Sequence, residues 1–535
     1  VMDIKPTQNI SGFGVDVMVS FLTTSASAVG VANDGRGKWA LSARRGNLDL
    51  VVDLINPSLG NPTYSDWFGS YSYQLSPETE LEFGIIAYND DVTFRDGDDE
   101  QVKSRYRNTY VWAQLNKNWS DRSSSITSIS FGSVNRGRRG FMFDEEGIEG
   151  SGKMDDQSEF DLINFNHRYS LEISSALNLE LGGRLNYQRG RYQSSVLTER
   201  GLLARLIGLE PREVRNVQTS PAGTSGYLYG STRWLPREWL AVEAGLRWDY
   251  QDYGENFDQQ FSPRLSVLVD LASNTKLRMS AGRFYQAEQI QELQAADGVD
   301  QFQDPQYADH FIVGLSHDFG VSGLSARIEG FYKAFKNPKS RFENLFNSLV
   351  LLPELAFDRI EVAPSQARAR GVEATLRYQP RRNFNAWLSY TRAAADDKLS
   401  DGWARRGWDQ THTVSTGFMW NPANWSLSAA FMWHSGWKTT LLPDVLIEGE
   451  TPSLERNADR LPNFSSFDLK LGRTWDWPRQ SLTVFAEVTN VFNTNNVGAY
   501  EYDLDGVTDG AYQVTQEGVT LLPMVPSLGV RWTFE

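Results

Sequence analysis

Oily and polar side chains alternate without interruption through the C-terminal segment. Leu528, Val530, Trp532 and Phe534 fall on one face of an extended chain, and Ser527, Gly529, Arg531 and Thr533 fall on the other. Successive strand residues point to opposite faces, so this is a strand with apolar surroundings on one side and water on the other. Aromatics ending the oily face and an arginine on the wet face suit a wall with lipid outside and a hydrated lumen inside.

The pattern recurs upstream. Val242, Ala244, Leu246, Trp248 and Tyr250 oppose Glu243, Gly245, Arg247 and Asp249; Val372, Ala374, Leu376 and Tyr378 oppose Glu373, Thr375 and Arg377; Leu277, Met279 and Ala281 oppose Arg278, Ser280 and Gly282. A soluble barrel would reverse the faces, with an apolar interior and no need of aromatics at strand ends. Here Trp119, Trp234, Trp239, Trp248, Trp387, Trp425 and Trp475 stand at or next to strand ends, where an interfacial girdle is expected. The same alternation turns Arg184, Glu243, Arg247, Arg278, Arg327, Glu329, Glu373, Arg377, Glu487 and Arg531 toward the lumen. Charges of both signs on such a wall can bridge one another across strands or hold the polar surface of an inserted domain.

Composition removes other classes. With 0 cysteines, disulfide scaffolds, thiolate metal sites and cysteine nucleophiles are excluded. A mean hydropathy of −0.45 and the lack of long apolar runs argue against membrane helices, whereas barrels hide from hydropathy windows because every second residue is polar. A net charge of −15 argues against nucleic-acid binding, which wants a basic surface.

Short turns rich in Gly, Pro, Asn, Asp and Ser punctuate the chain at 33–37, 76–79, 120–122, 236–238, 273–275, 379–383, 421–424 and 478–480. Longer polar segments, 192–223, 337–366, 438–461 and 495–522, join strands at the other end. The rhythm predicts an all-β fold: a closed antiparallel transmembrane barrel of about 22 strands, with short periplasmic turns and long extracellular loops. The strand near Phe13 to Ser20 is expected to close it against the strand ending at Phe534.

Phe261-Ser-Pro-Arg-Leu-Ser266, Lys276 through Gln286, Ala326 through Lys333, Gly371-Val-Glu373, Trp387 through Thr391, Trp408 through His412, Phe467 through Lys470, Phe485 through Asn493 and Pro526 through Trp532 together resemble the barrel of TonB-dependent outer-membrane receptors. The resemblance covers essentially the whole chain. It implies active import across the bacterial outer membrane, energised through TonB, and a plug domain inside the lumen that carries the TonB-contacting peptide. Residues 1–10 are similar to the junction between plug and barrel, and 11–535 to the barrel, so the plug is expected to be absent from this chain. Phe534 resembles the family's C-terminal aromatic, although Glu535 follows it.

No catalytic residue, metal site or cofactor is expected. His167, His310, His317, His412 and His434 form no His-Glu-x-x-His pair, and a Gly-x-Ser-x-Gly elbow is lacking. Asp90, Asp91, Asp96, Asp98, Asp99 and Glu100 read as a solvated acidic loop rather than a calcium site. Two segments are candidates for recognition. Arg138, Arg139, Phe141 and Phe143, read as an outer loop, could grip an anionic aromatic ligand or lipopolysaccharide phosphates. Trp403, Arg405 and Arg406, with Trp408 and the later Trp437, could stack on sugars or aromatic chelates, or belong to the girdle. The expected function is import of a scarce ligand: an iron chelate, cobalamin, an oligosaccharide or a peptide. The alternative is a plugless barrel serving as a passive pore or surface anchor. Partners on either reading are the lipid bilayer and lipopolysaccharide, with plug and TonB on the first.

Overall fold

The computed structural model describes residues 10, 12–33, 35–50, 60–97, 99–254, 258–320, 323–506 and 510–535. Residues 1–9 of the expected junction lie outside them. One antiparallel sheet of 24 strand segments runs from Gly14–Ser20 to Val525–Phe534. Two staves are each built from two segments. Arg212–Thr219 and Ala222–Arg237 both pair with Leu177–Arg200, and Gly402–Arg405 and His412–Trp420 both pair with Phe384–Leu399. The 24 segments therefore make 22 staves. Closure is as expected: Val15 faces Phe534 and Ser20 faces Gly529, leaving the principal sheet no free edge.

Outward faces carry the oil. Leu528, Val530 and Trp532 are exposed there, and so is the rung Ile85, Val111, Phe131, Ile163 and Tyr187 that crosses five neighbouring staves. On the inner face Phe485 lies over Gly529, where a Cβ would come within 2.2 Å of the ring. An aromatic ring thus covers the strand backbone at a glycine, which leaves room for it, as Trp112 does over Gly84 and Tyr229 over Gly182. Trp119, Trp234, Trp239, Trp425 and Trp475 ring the short-turn rim, each more than a third exposed, as a girdle requires. Trp387 does not join them. It stands directly opposite Arg377 and packs against Gly417, on the inner face.

The connections 143–149, 201–211, 287–305, 337–365, 435–463 and 490–524 all leave one rim, and two- to five-residue turns close the other. Two sequence expectations change here. Most of 192–223 is strand, with only 201–211 as loop and a short helix at Leu202–Leu206. Conversely, 287–305 is a long connection that the sequence reading did not mark. Both follow from stave height. Gly150–Ser174 has 25 residues, or about 80 Å of strand at ~3.3 Å each, far more than a ~30 Å hydrocarbon layer needs even when tilted. Above the bilayer the outward face meets water and the inward face meets folded loops, so the polarity of the two faces is exchanged. Phe160, Tyr192 and Val196 are buried inside there, while Glu159 and Arg191 pair outside.

Candidate ligand mouth

The long connections fold back into the mouth. Tyr192 of the wall donates its hydroxyl to the carbonyl of Ile290 at 2.6 Å, and Tyr253, just beyond the strand Leu240–Gln251, donates to the carbonyl of Glu288 at 2.7 Å, so two tyrosines clamp the 287–305 segment. Ile290 and Leu293 fill the space between Val134, Phe160 and Val217 of the wall. Leu352 and Leu355 of the 337–365 segment pack on Val102, Met154 and Val196. A third core joins four connections at once: Leu203 and Leu206, Phe346 and Phe357, Leu442 and Leu446, and Tyr502. Loops from widely separated staves therefore share one apolar interior across the opening.

Buried ion pairs fix this cover to the wall. Arg138 takes both carboxylate oxygens of Glu354, at 2.7 and 3.2 Å, and reaches Asp156 at 3.3 Å. Asp297 receives Arg359 through two bonds of 2.6 and 2.9 Å, and Arg215 at 3.3 Å. Asp397, fully buried, receives Arg341 at 2.6 Å and Arg406 at 2.8 Å. Paired and hydrogen-bonded geometry of this kind is what lets charges stay in a desolvated site.

Beside the cover lies an aromatic cluster. His434 is stacked between Phe464, with ring centroids 4.7 Å apart, and Trp437, at 5.5 Å. Trp437 in turn meets Trp408 at 4.4 Å. Trp408 is half-exposed and holds a left-handed backbone with φ of 64°, a conformation that costs a bulky residue energy unless its surroundings impose it. The indole N–H of Trp437 is buried without an acceptor.

Strand alternation separates the residues that the sequence reading grouped. Arg138, Arg139 and Phe141 belong to the strand Ser123–Met142, not to a loop, and only Phe143 lies beyond it. Arg138 turns inward to Glu354, while Arg139 faces outward and pairs with Asp155 at 2.6 Å. Trp403 and Arg405 share the outward side with Arg368 and Asp396, Arg368 lying 4.0 Å above the Trp403 ring, while Arg406 turns in to Asp397. Asp90 and Asp91 likewise take opposite faces, and Asp91 pairs with Arg105 at 2.6 Å.

Of the wall residues, Arg247 pairs with Asp249 at 2.5 Å and lies 3.7 Å above the Tyr227 ring, Lys470 meets Glu487 at 2.7 Å, and Arg531 meets Asp16 at 2.6 Å. Arg327 pairs with Glu329, which stands opposite Glu373. Arg377 donates to Asn385 at 3.2 Å. Arg184, Glu243, Arg278 and Glu373 make no ion pair among the described residues.

Residues 42–491 match the family described as TonB dependent receptor-like, beta-barrel. The chain belongs to the TonB-dependent receptor family. No curated protein matches it. Among solved structures it is similar to the ferripyoverdine receptor of the Pseudomonas aeruginosa outer membrane, at 12% identity over 99% of this chain and 72% of that one, with a TM-score of 0.68. The ferric enterobactin receptor of the same organism is 13% identical over 99% and 81% of the two chains, with a TM-score of 0.65. The outer-membrane transporter YddB of Escherichia coli is 11% identical over 98% and 81%, with a TM-score of 0.67. At such identities these likenesses establish the barrel fold.

In this TonB-dependent receptor barrel the loop core also holds acids against their preference. Burial, with Glu501, Asp358, Asp144 and Asp503 nearby, pushes Glu149 up to about 7, and burial pushes Asp358 up to about 6 despite the Phe346 N–H bonded to it at 2.7 Å. Folded carboxyls of this kind bind protons more tightly than unfolded ones. The loop core is therefore expected to lose stability as pH rises from about 4, the ordinary carboxyl range, through the folded values of about 6 and 7, and then to level off. Asp144 and Asp409, both held low, lose their stabilising charge only well below that window. Hydrogen exchange at Leu203 and Phe346, corrected for intrinsic rate, should show more frequent opening at pH 8 than at pH 5.5. The opposite slope would contradict the assignment.

Proposed function

We propose that this protein is the barrel of an outer-membrane receptor that imports a scarce ligand, with an anionic aromatic iron chelate the class its mouth suits best. The observation that carries the reading is the Trp408–Trp437 pair, in which Trp408 is half-exposed on a left-handed backbone, beside the arginine-rich loop cover. Indole faces stack on flat aromatic groups, and guanidinium forks take carboxylate or catecholate oxygens bidentately. The long-loop rim is then extracellular. The likeness to a ferripyoverdine receptor and a ferric enterobactin receptor favours the same class over cobalamin, oligosaccharide or peptide. Energised uptake would need a plug domain, seated against wall groups such as Arg184, Glu243, Arg278 and Glu373, to meet TonB.

A passive pore is the second reading, favoured by wall charges that already pair with each other, as Arg531 does with Asp16. Planar-bilayer recording separates the two. An importer barrel should conduct less when its plug, expressed separately, is added, whereas a passive pore should not respond. On the receptor reading, binding of ferric catecholate, followed by fluorescence quenching, should weaken by more than about tenfold in Trp408→Ala/Trp437→Ala, since each aromatic contact is worth about 1 kcal/mol or more. Unchanged binding, or none in the unaltered protein, would remove the chelate assignment.

A further inference from the structure

We propose that the outward face of the staves Glu100–Ser120 and Ser123–Met142 carries a socket for the phosphate of an outer-leaflet glycolipid, built by Lys103, Arg105, Arg107 and Arg139 around Gly137. The register sets the four cations together. Lys103 stands directly opposite Arg139, Arg105 opposite Gly137, and Arg107 opposite Asn135. All four cations are exposed, the side chains of Arg105 and Arg139 to 62% and 67%. Like charges directly opposite on one face of a sheet are destabilising unless an anion lies between them. Gly137 leaves the centre of the group open, for a Cβ there would meet nothing within 4 Å.

Asp91 and Asp155 each engage one flanking arginine, at 2.6 Å, and leave its remaining N–H donors available. Lys103 and Arg107 have no carboxylate partner among the described residues, and Asn89 and Asn135 stand on either side of Arg107. In a chain of net charge −15, a hollow rimmed by four cations on an outward face is a local inversion of sign.

Height identifies the occupant. Ile85, Val111 and Phe131 form the last apolar rung beneath the socket, and all three are exposed to the surroundings. Arg107 lies four residues above Val111, about 13 Å along the strand, and Lys103 about 27 Å. With strands tilted about 40°, those distances are about 10 and 20 Å of height, a span that a sugar–phosphate headgroup fills and a simple phospholipid headgroup does not, so a glycolipid whose acyl chains cover Val111 and Phe131 would bring its phosphate to Arg107, Arg105 and Lys103. Charge-assisted bonds from guanidinium forks to phosphate supply the recognition.

The inference rests on the outer-membrane reading above, and the test keeps the two apart. The protein is placed in phosphatidylcholine nanodiscs containing either diphosphoryl lipid A or its dephosphorylated form, and bound lipid is counted by native mass spectrometry. Retention of the phosphorylated form alone is expected, with at least about tenfold loss in Lys103→Glu/Arg107→Glu. Gly137→Val, which fills the hollow and leaves the charges in place, should lose the lipid as well. Inorganic phosphate at millimolar concentration should not displace it, because it lacks the acyl contacts; displacement would mark a site for free phosphate instead. Equal retention of both lipids, or full retention in both variants, would overturn the socket. Surface labelling of intact cells at the long-loop rim tests the membrane reading separately.

Discussion

Asp297→Ala is expected to detach the loop cover from the wall while leaving the barrel intact. Asp297 is buried at the meeting of the 287–305 and 337–365 segments, where it neutralises Arg359 through two bonds and Arg215 through one. Those guanidiniums are themselves buried, with 11% and 7% of their side chains exposed, and removing the shared carboxylate leaves two cations facing each other in a desolvated pocket. Breaking such a site costs about 3–5 kcal/mol, against about 1 kcal/mol or less for a solvent-facing pair. Hydrogen exchange should therefore show opening of Ile290, Leu293 and Leu355 increased by two powers of ten or more, with the strand amides near Val111 and Val530 unchanged. Arg44→Ala, which breaks the exposed pair to Asp66 at 2.7 Å, should have little effect anywhere. Comparable protection in both variants would show that the buried pairs do not hold the cover.

The contrast between barrel and cover also explains what could be read from the sequence. Strand alternation is local, so Leu528 through Phe534 and Val242 through Tyr250 declare their two faces, and 22 such staves with short turns leave little choice but a closed barrel. The same rule shows why the recognition clusters came apart. Arg138 and Arg139 are neighbours in sequence, but one strand sends them to opposite sides of the wall. Asp297 and Glu354 carry no such signal, because they lie in irregular segments with no period and their partners Arg359, Arg215 and Arg138 stand 62 to 216 residues away. A residual signal existed in Phe160, Tyr192 and Val196, apolar on the face that should have been wet. That inversion marks the height at which lipid gives way to water outside and loops fill the inside.

The apolar half of the cover should be as sensitive as the charged half. Phe346 is 4% exposed, packs edge-on against Tyr502 at 5.1 Å and lies 5.9 Å from Phe357, at the point where four connections share one core. Truncation to alanine removes the ring's transfer free energy and leaves a cavity that loops from distant staves cannot close together, a cost of about 3–5 kcal/mol. Because the barrel's own pairing does not pass through this residue, the loss should appear as local opening rather than global unfolding. Limited proteolysis of Phe346→Ala should cut within 337–365 and 490–524 at rates raised by two powers of ten or more, while the C-terminal strand stays protected. Phe346→Leu, which keeps most of the volume, should recover the greater part of the protection. Cleavage unchanged in the alanine variant would mean that each loop holds its fold alone, and the cover would then be several independent loops rather than one cooperative structure.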